Sequence, residues 1–172
     1  MRKLLRQRWI RLRWMMLLGL LLACGKCKPE EGHCVWLNEA TASGYLNGPV
    51  TLDVKTGPED QSICIFTNRK SAKDSVALRI MVQPLKDTNK VVTSHESLCA
   101  SAPAPLKAIG NEAVSCSADV GHAHGEQVIG RVRDRLFIVS VTSTMAEDPV
   151  TTRQSLRESV RDIAEQVAGA LF

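Results

Sequence analysis

The chain has 172 residues, with 22 lysines and arginines against 18 aspartates and glutamates and a formal net charge of +4. Six of the bases and none of the acids precede Cys24, so the rest of the chain holds 16 bases against 18 acids and lacks the basic surplus that binding nucleic-acid phosphates requires. About 149 residues lie from Cys24 onward, enough for one domain with a single core and too few for two.

Arg2, Lys3, Arg6, Arg8, Arg11 and Arg13 form a cationic leader, and Trp14 to Ala23 is an apolar run of ten residues. A membrane-spanning helix needs about 20 apolar residues, so this run reads as an export signal over residues 1–23. Leu21, Leu22 and Ala23 before Cys24 match a bacterial lipoprotein cleavage site, with Leu22 bulkier than usual. Cleavage there would free the Cys24 thiol for a diacylglyceryl group, and residues 24–33, which contain Pro29 and two glycines, read as a flexible leader. The expected address is the cell envelope, membrane-anchored by lipid on Cys24, with a soluble secreted or periplasmic form as the alternative. Cys24-Gly-Lys-Cys27 also spells a CxxC, but redox chemistry needs that motif at the amino end of a helix following a strand. Zinc would need a second ligand pair at characteristic spacing, and the sequence has no other CxxC and no HxxxH.

The domain is expected over residues 34–172. Asn38 is a helix N-cap, residues 39–46 a short helix, and Asn47-Gly48-Pro49 its stop. Strands are predicted at residues 50–56, 62–67 and 75–83, separated by turn-rich stretches. In the third, Val76, Leu78, Ile80 and Val82 alternate with Ala77, Arg79 and Met81, so one sheet face is apolar and the other mixed. A helical link is predicted near 94–100 and a Pro-containing linker at 100–105. A second strand group follows at 112–120, 127–133 and 136–142, with a tight turn at Asp134-Arg135. Thr151-Thr152-Arg153-Gln154 is a capping-box pattern before Leu156, Val160, Ile163, Val167 and Leu171, which share one helical stripe. The fold class is therefore α+β: a mostly antiparallel sheet of about six strands, with a short N-terminal helix and a long C-terminal helix packed on it.

In an oxidising compartment, cysteines at long spacings form a disulfide framework. With Cys24 acylated, Cys34 at the first helix pairs with Cys64 in an apolar strand, Cys99 pairs with Cys116 across the Pro-containing link, and Cys27 is left over.

Cys34, Leu37, Leu46, Pro49, Val50, Cys64-Ile65-Phe66 and Ile109-Gly110-Asn111-Glu112-Ala113 resemble the pattern of small bacterial envelope lipoproteins in a domain-of-unknown-function family. This chain departs from it with Asn38 for a Thr and Asn47 for a Gly, both of which keep the cap chemistry. The resemblance implies a Cys34–Cys64 disulfide and carries over no catalytic residue. The element order also resembles PsbP-like accessory domains, a likeness of fold that assigns no activity.

For chemistry the sequence offers little. There is no GxSxG elbow to mark a nucleophile, and a Ser, His and Asp set without geometry does not define a triad. Gly121-His122-Ala123-His124-Gly125 places two imidazoles two residues apart, a weak copper or zinc site if His95 or Asp119 joins them, whereas the flanking glycines favour a solvated loop. Arg131, Arg133 and Arg135 read as a solvated strand face. The sequence points to a non-catalytic envelope domain without a cofactor that binds a ligand or protein partner. A metal-binding accessory protein using His122 and His124 is the alternative, and a small hydrolase comes third.

Overall fold

The computed structural model describes residues 32–86, 91–145 and 152–172. The export signal, Cys24 and Cys27 lie outside the described residues. Helix α1 spans Glu39–Tyr45, and Asn38 caps it by accepting a hydrogen bond from Thr41 N at 2.8 Å. It ends where Asn47 turns left-handed at φ 53°. Its last carbonyls are met by side chains from across the fold: Asn68 donates to Leu46 O at 2.7 Å and Lys70 to Asn47 O at 2.6 Å. This satisfies the orphan acceptors of a helix end and sets a cation at its negative pole.

Strands β1 (Thr51–Thr56), β2 (Ser62–Arg69) and β3 (Ser75–Pro84) form an antiparallel meander. The short helix α2 (Val91–His95) runs into a 3-10 turn, Glu96–Leu98. Strands β4 (Ala104–Leu106), β5 (Glu112–Ser117), β6 (His124–Val132) and β7 (Arg135–Ser143) form a second meander, and α3 (Arg153–Leu171) closes the chain. The two meanders join through β3 and β7, which pair antiparallel from Val76↔Ser143 to Pro84↔Arg135. The result is one seven-stranded antiparallel sheet in the order β1-β2-β3-β7-β6-β5-β4.

The α+β class with a short and a long helix on an antiparallel sheet is what the structure shows, but the strand count is seven rather than about six. The additional strand is β4, which begins at the end of the expected 100–105 linker and runs one residue beyond it. Three residues with Pro105 at the centre carry no strand signal, and a residue without an N–H belongs on a sheet edge, where β4 lies. Several boundaries also move, among them the helical link expected near 94–100, which spans Val91–His95 and Glu96–Leu98, and β5, which ends at Ser117 rather than at 120. The β6–β7 turn falls at Arg133-Asp134, with Arg133 at φ 53°. His124 and Gly125 begin β6 instead of belonging to a loop. The cap of α3 is Thr152, whose hydroxyl accepts from Ser155 N at 3.2 Å.

Side-chain alternation sorts the sheet into two faces. On the first, Leu78 and Ile80 of β3 and Phe137 and Val139 of β7 meet Val160, Ile163 and Val167 of α3, all fully buried. Leu156 joins this stripe and Leu171 packs at its half-buried end. Helix α1 and the Cys34–Cys64 bridge extend the same core over β2. Gln166 ties the two helices by donating to the Tyr45 hydroxyl at 2.9 Å. The second face carries a smaller core in which Val92 of α2 covers Met81, Ile129 and Ile138. Helix α2 packs mainly on β5 and β6, so that among the described residues much of β2, β3 and β7 beyond the Met81–Ile138 row is open on this face.

Two disulfides staple the fold, Cys34–Cys64 and Cys99–Cys116. They belong to an oxidising, extracellular-type environment. Among the described residues no helix is long and apolar enough to cross a membrane.

Candidate functional site

The partly covered second face holds a groove of about 630 Å³. Its floor is drawn from three cross-strand rows over β2, β3, β7 and β6, of which the residues at the row ends Ile63, Ile129, Thr67 and Gly125 lie outside the lining. One cross-strand row, Ile63-Met81-Ile138-Ile129, is apolar and runs beneath α2. The next, Ile65-Arg79-Ser140-Gln127, is polar except at its β2 end. The third, Thr67-Ala77-Thr142-Gly125, contributes Ala77 and Thr142 to the groove.

One wall is the 3-10 turn with His95 and Leu98. The Cys99–Cys116 bridge fastens it to β5, and the buried Gln127 donates from Nε2 to Leu98 O at 2.9 Å. The opposite wall is the β5–β6 loop, with Ala118, Asp119, Val120 and Ala123. Val120 and Ala123 pair through two backbone hydrogen bonds of 3.0 Å. Asp119 is held by Gly125 N at 3.2 Å and by Arg153 Nη2, which lies 3.2 Å from both carboxylate oxygens. The Arg153 guanidinium, helped by the Gly125 N–H, holds the Asp119 carboxyl below its ordinary range against a smaller opposing effect of desolvation. One wall is therefore fixed by a covalent bond, and the other is tied to α3 by a partly exposed ion pair.

Apolar side chains stand at both lips. Leu98 is 53% exposed and Val120 70% exposed, among the few large hydrophobic residues left in water. Gln61 and Gln83 close one end by bonding each other at 2.8 Å. A concave, largely apolar site with a few placed polar groups in this size range is the usual form of a small-molecule pocket.

The residues singled out from the sequence fall elsewhere or play supporting parts. His122 sits in an exposed turn, whereas His124 opens β6 with its Nε2 buried and without a hydrogen-bond partner among the described residues. His95 is on the far wall of the groove. No group of three His, Cys, Asp or Glu residues that could hold a metal ion occurs among the described residues. Ser94 Oγ is 3.1 Å from His95 Nδ1, but Ser94 is exposed and outside the groove lining.

Of the arginine cluster, Arg131 pairs with Glu112 at 2.7 Å and donates to Arg133 O at 2.8 Å, while Arg133 lies over the Phe172 ring at 5.9 Å. The Gly110-Asn111-Glu112 motif serves this corner. Gly110, at φ 62°, has no room for a Cβ, which would lie 2.4 Å from Arg131 O. Asn111 accepts from Arg133 N at 2.6 Å. The motif thus locks β5 to the β6–β7 turn, a structural task. Comparison with protein-family profiles, curated proteins and solved structures finds no match to this chain.

The groove is not legible in the sequence because its floor comes from alternate residues of four strands, no two of them adjacent in sequence. One signal for it was present: Ala77, Arg79 and Met81 on the mixed side of a strand whose other side is wholly apolar.

Proposed function

We propose that this protein is a non-catalytic, exported domain of the cell envelope, anchored by lipid on Cys24, that holds a ligand in the groove on the partly covered sheet face. The observation that carries the reading is the groove itself. Its walls are fastened by Cys99–Cys116 and by Asp119–Arg153 while its apolar lips, Leu98 and Val120, stay in water. A cavity fixed before binding loses little ordering entropy when it is filled, which suits reversible capture. The disulfides and the cationic, apolar leader support export.

Two measurements test this. The intact mass of the membrane-extracted protein should show diacylglyceryl and acyl groups on Cys24, with one labelled thiol before reduction and four more after it. A soluble, unmodified product joined Cys24 to Cys27 would overturn the anchor. Native mass spectrometry of the same material should show a non-covalent adduct that an Ala77→Trp variant, with its groove filled, lacks. Identical spectra for the two proteins would overturn ligand capture.

A further inference from the structure

Of the carboxylate and the guanidinium that line the groove, one is paired and the other, among the described residues, is not. Asp119, the single carboxylate in the lining, already has both oxygens engaged by Arg153. Asp53 lies in the same cross-strand row as Arg79, two strands away, and closes on Lys55 at 2.7 Å. Arg79, the single arginine or lysine in the lining, meets among the described residues just the Met81 sulfur, at 4.0 Å. It stands between Ile65 and Ser140 on the floor, with the apolar row of Met81 and Ile138 beside it.

The other polar groups of the groove are largely used internally. Gln61 and Gln83 bond each other, and Gln127 bonds the Leu98 carbonyl. A peptide laid here would find few partners for its own N–H and C=O groups, and burying those unpaired is costly. An apolar body with one charged end has no such demand. We infer that the groove binds a single-chain amphiphile with an anionic head, carboxylate or phosphate, whose head pairs with Arg79 and whose chain lies between Leu98 and Val120. Arg79 supplies a fork matched to either oxyanion, and Ser140 places a hydroxyl beside it.

This inference rests on the ligand-capture reading above, and its test separates the two. The full chain is titrated, below the micellar concentration, with decanoate, decyl phosphate, decanol and decyltrimethylammonium, and amide chemical shifts locate the bound molecule. Decanoate and decyl phosphate should bind one to one at groove amides, at least tenfold more tightly than decanol, and the ammonium compound should not bind there. Each further methylene buried should tighten binding about fourfold. Arg79→Gln should reduce decanoate to the affinity of decanol and leave decanol unchanged, whereas Arg79→Lys should retain part of the preference. Arg79 is exposed, so an unchanged melting temperature verifies that the variants fold. Equal binding of decanoate and decanol by the wild type would overturn the anion assignment and leave groove capture standing. Groove shifts with an acidic peptide and with no amphiphile would overturn the ligand class alone. Shifts confined to residues outside the groove, for every probe, would overturn both.

Discussion

Gly130 sits directly opposite Phe137 in the β6–β7 ladder, and a Cβ on it would lie 2.3 Å from the ring. The ring is fully buried and covers the glycine, so Gly130→Ala must displace an aromatic side chain in a packed core. That overpacking should cost about 1 to 3 kcal/mol, read as a drop in chemical-denaturation midpoint at unchanged slope. Asp119 is a different case. Its folded carboxyl binds a proton less readily than the unfolded chain, whose ordinary value is 3.8. The stabilisation it contributes is thus present above that value and lost as pH falls through the lower, folded one. The side chain is 43% exposed, so the effect is less than about 1 kcal/mol. Asp119→Asn should lower stability at neutral pH by that small amount and flatten the acid limb of the stability profile. Glu126 is 1% exposed, with Arg157 at 3.3 Å, Arg153 at 3.7 Å and the Ser117 hydroxyl at 3.3 Å. It joins β6 to α3 beneath the same loop, so Arg153 braces the groove wall from behind.

Among the elements, the helices were the most legible. A stripe at spacings of four, three, four and four can bury itself in just one way on a sheet, and α3 does so through Leu156, Val160, Ile163 and Val167. Thr152→Ala should destabilise by about 1 kcal/mol through the lost cap. The central strands were legible because their alternation is strict. Strand β4 was not, since its pairing comes from its neighbour β5 and not from its own residues. The groove was not legible either. Which residues of β2, β3, β7 and β6 stand in one row depends on register, and register is settled by pairing across long sequence separations. His124 shows the same limit, because a residue two positions from a glycine turn looks like loop until its ladder partner Ser143 is known. The wall of the groove gives an element-scale prediction. Replacing Cys99 and Cys116 by Ser should cost about 3 kcal/mol by loop-closure entropy and loosen the turn that carries Leu98. Faster hydrogen exchange at the amides of residues 94–100, with α3 unchanged, would show it.

At the scale of the molecule, the sheet is shielded unequally. One face bears two helices and most of the core, and the other bears a short helix and an open groove. Stability therefore leans on the covalent staples. Cys34–Cys64, closing a separation of 30 residues, should contribute about 3.5 kcal/mol. Losing both bridges would remove a large part of the 5 to 15 kcal/mol typical of a domain. Thermal melts with and without reductant should differ by well over ten degrees, and a reduced chain that melts at the oxidised temperature would contradict this.

The join between β3 and β7 also sets a timetable. Ribosomes complete β3 at Pro84, but its partner is finished at Ser143, about 60 residues later. At typical elongation rates that is roughly 3 to 12 seconds. Through that interval the sticky Val76-to-Val82 strand has an unpaired flank, the kind of edge that recruits other nascent chains. A chain that stops short of Ser143 should therefore aggregate through the 75–84 segment, and sedimentation of such truncated products would show it.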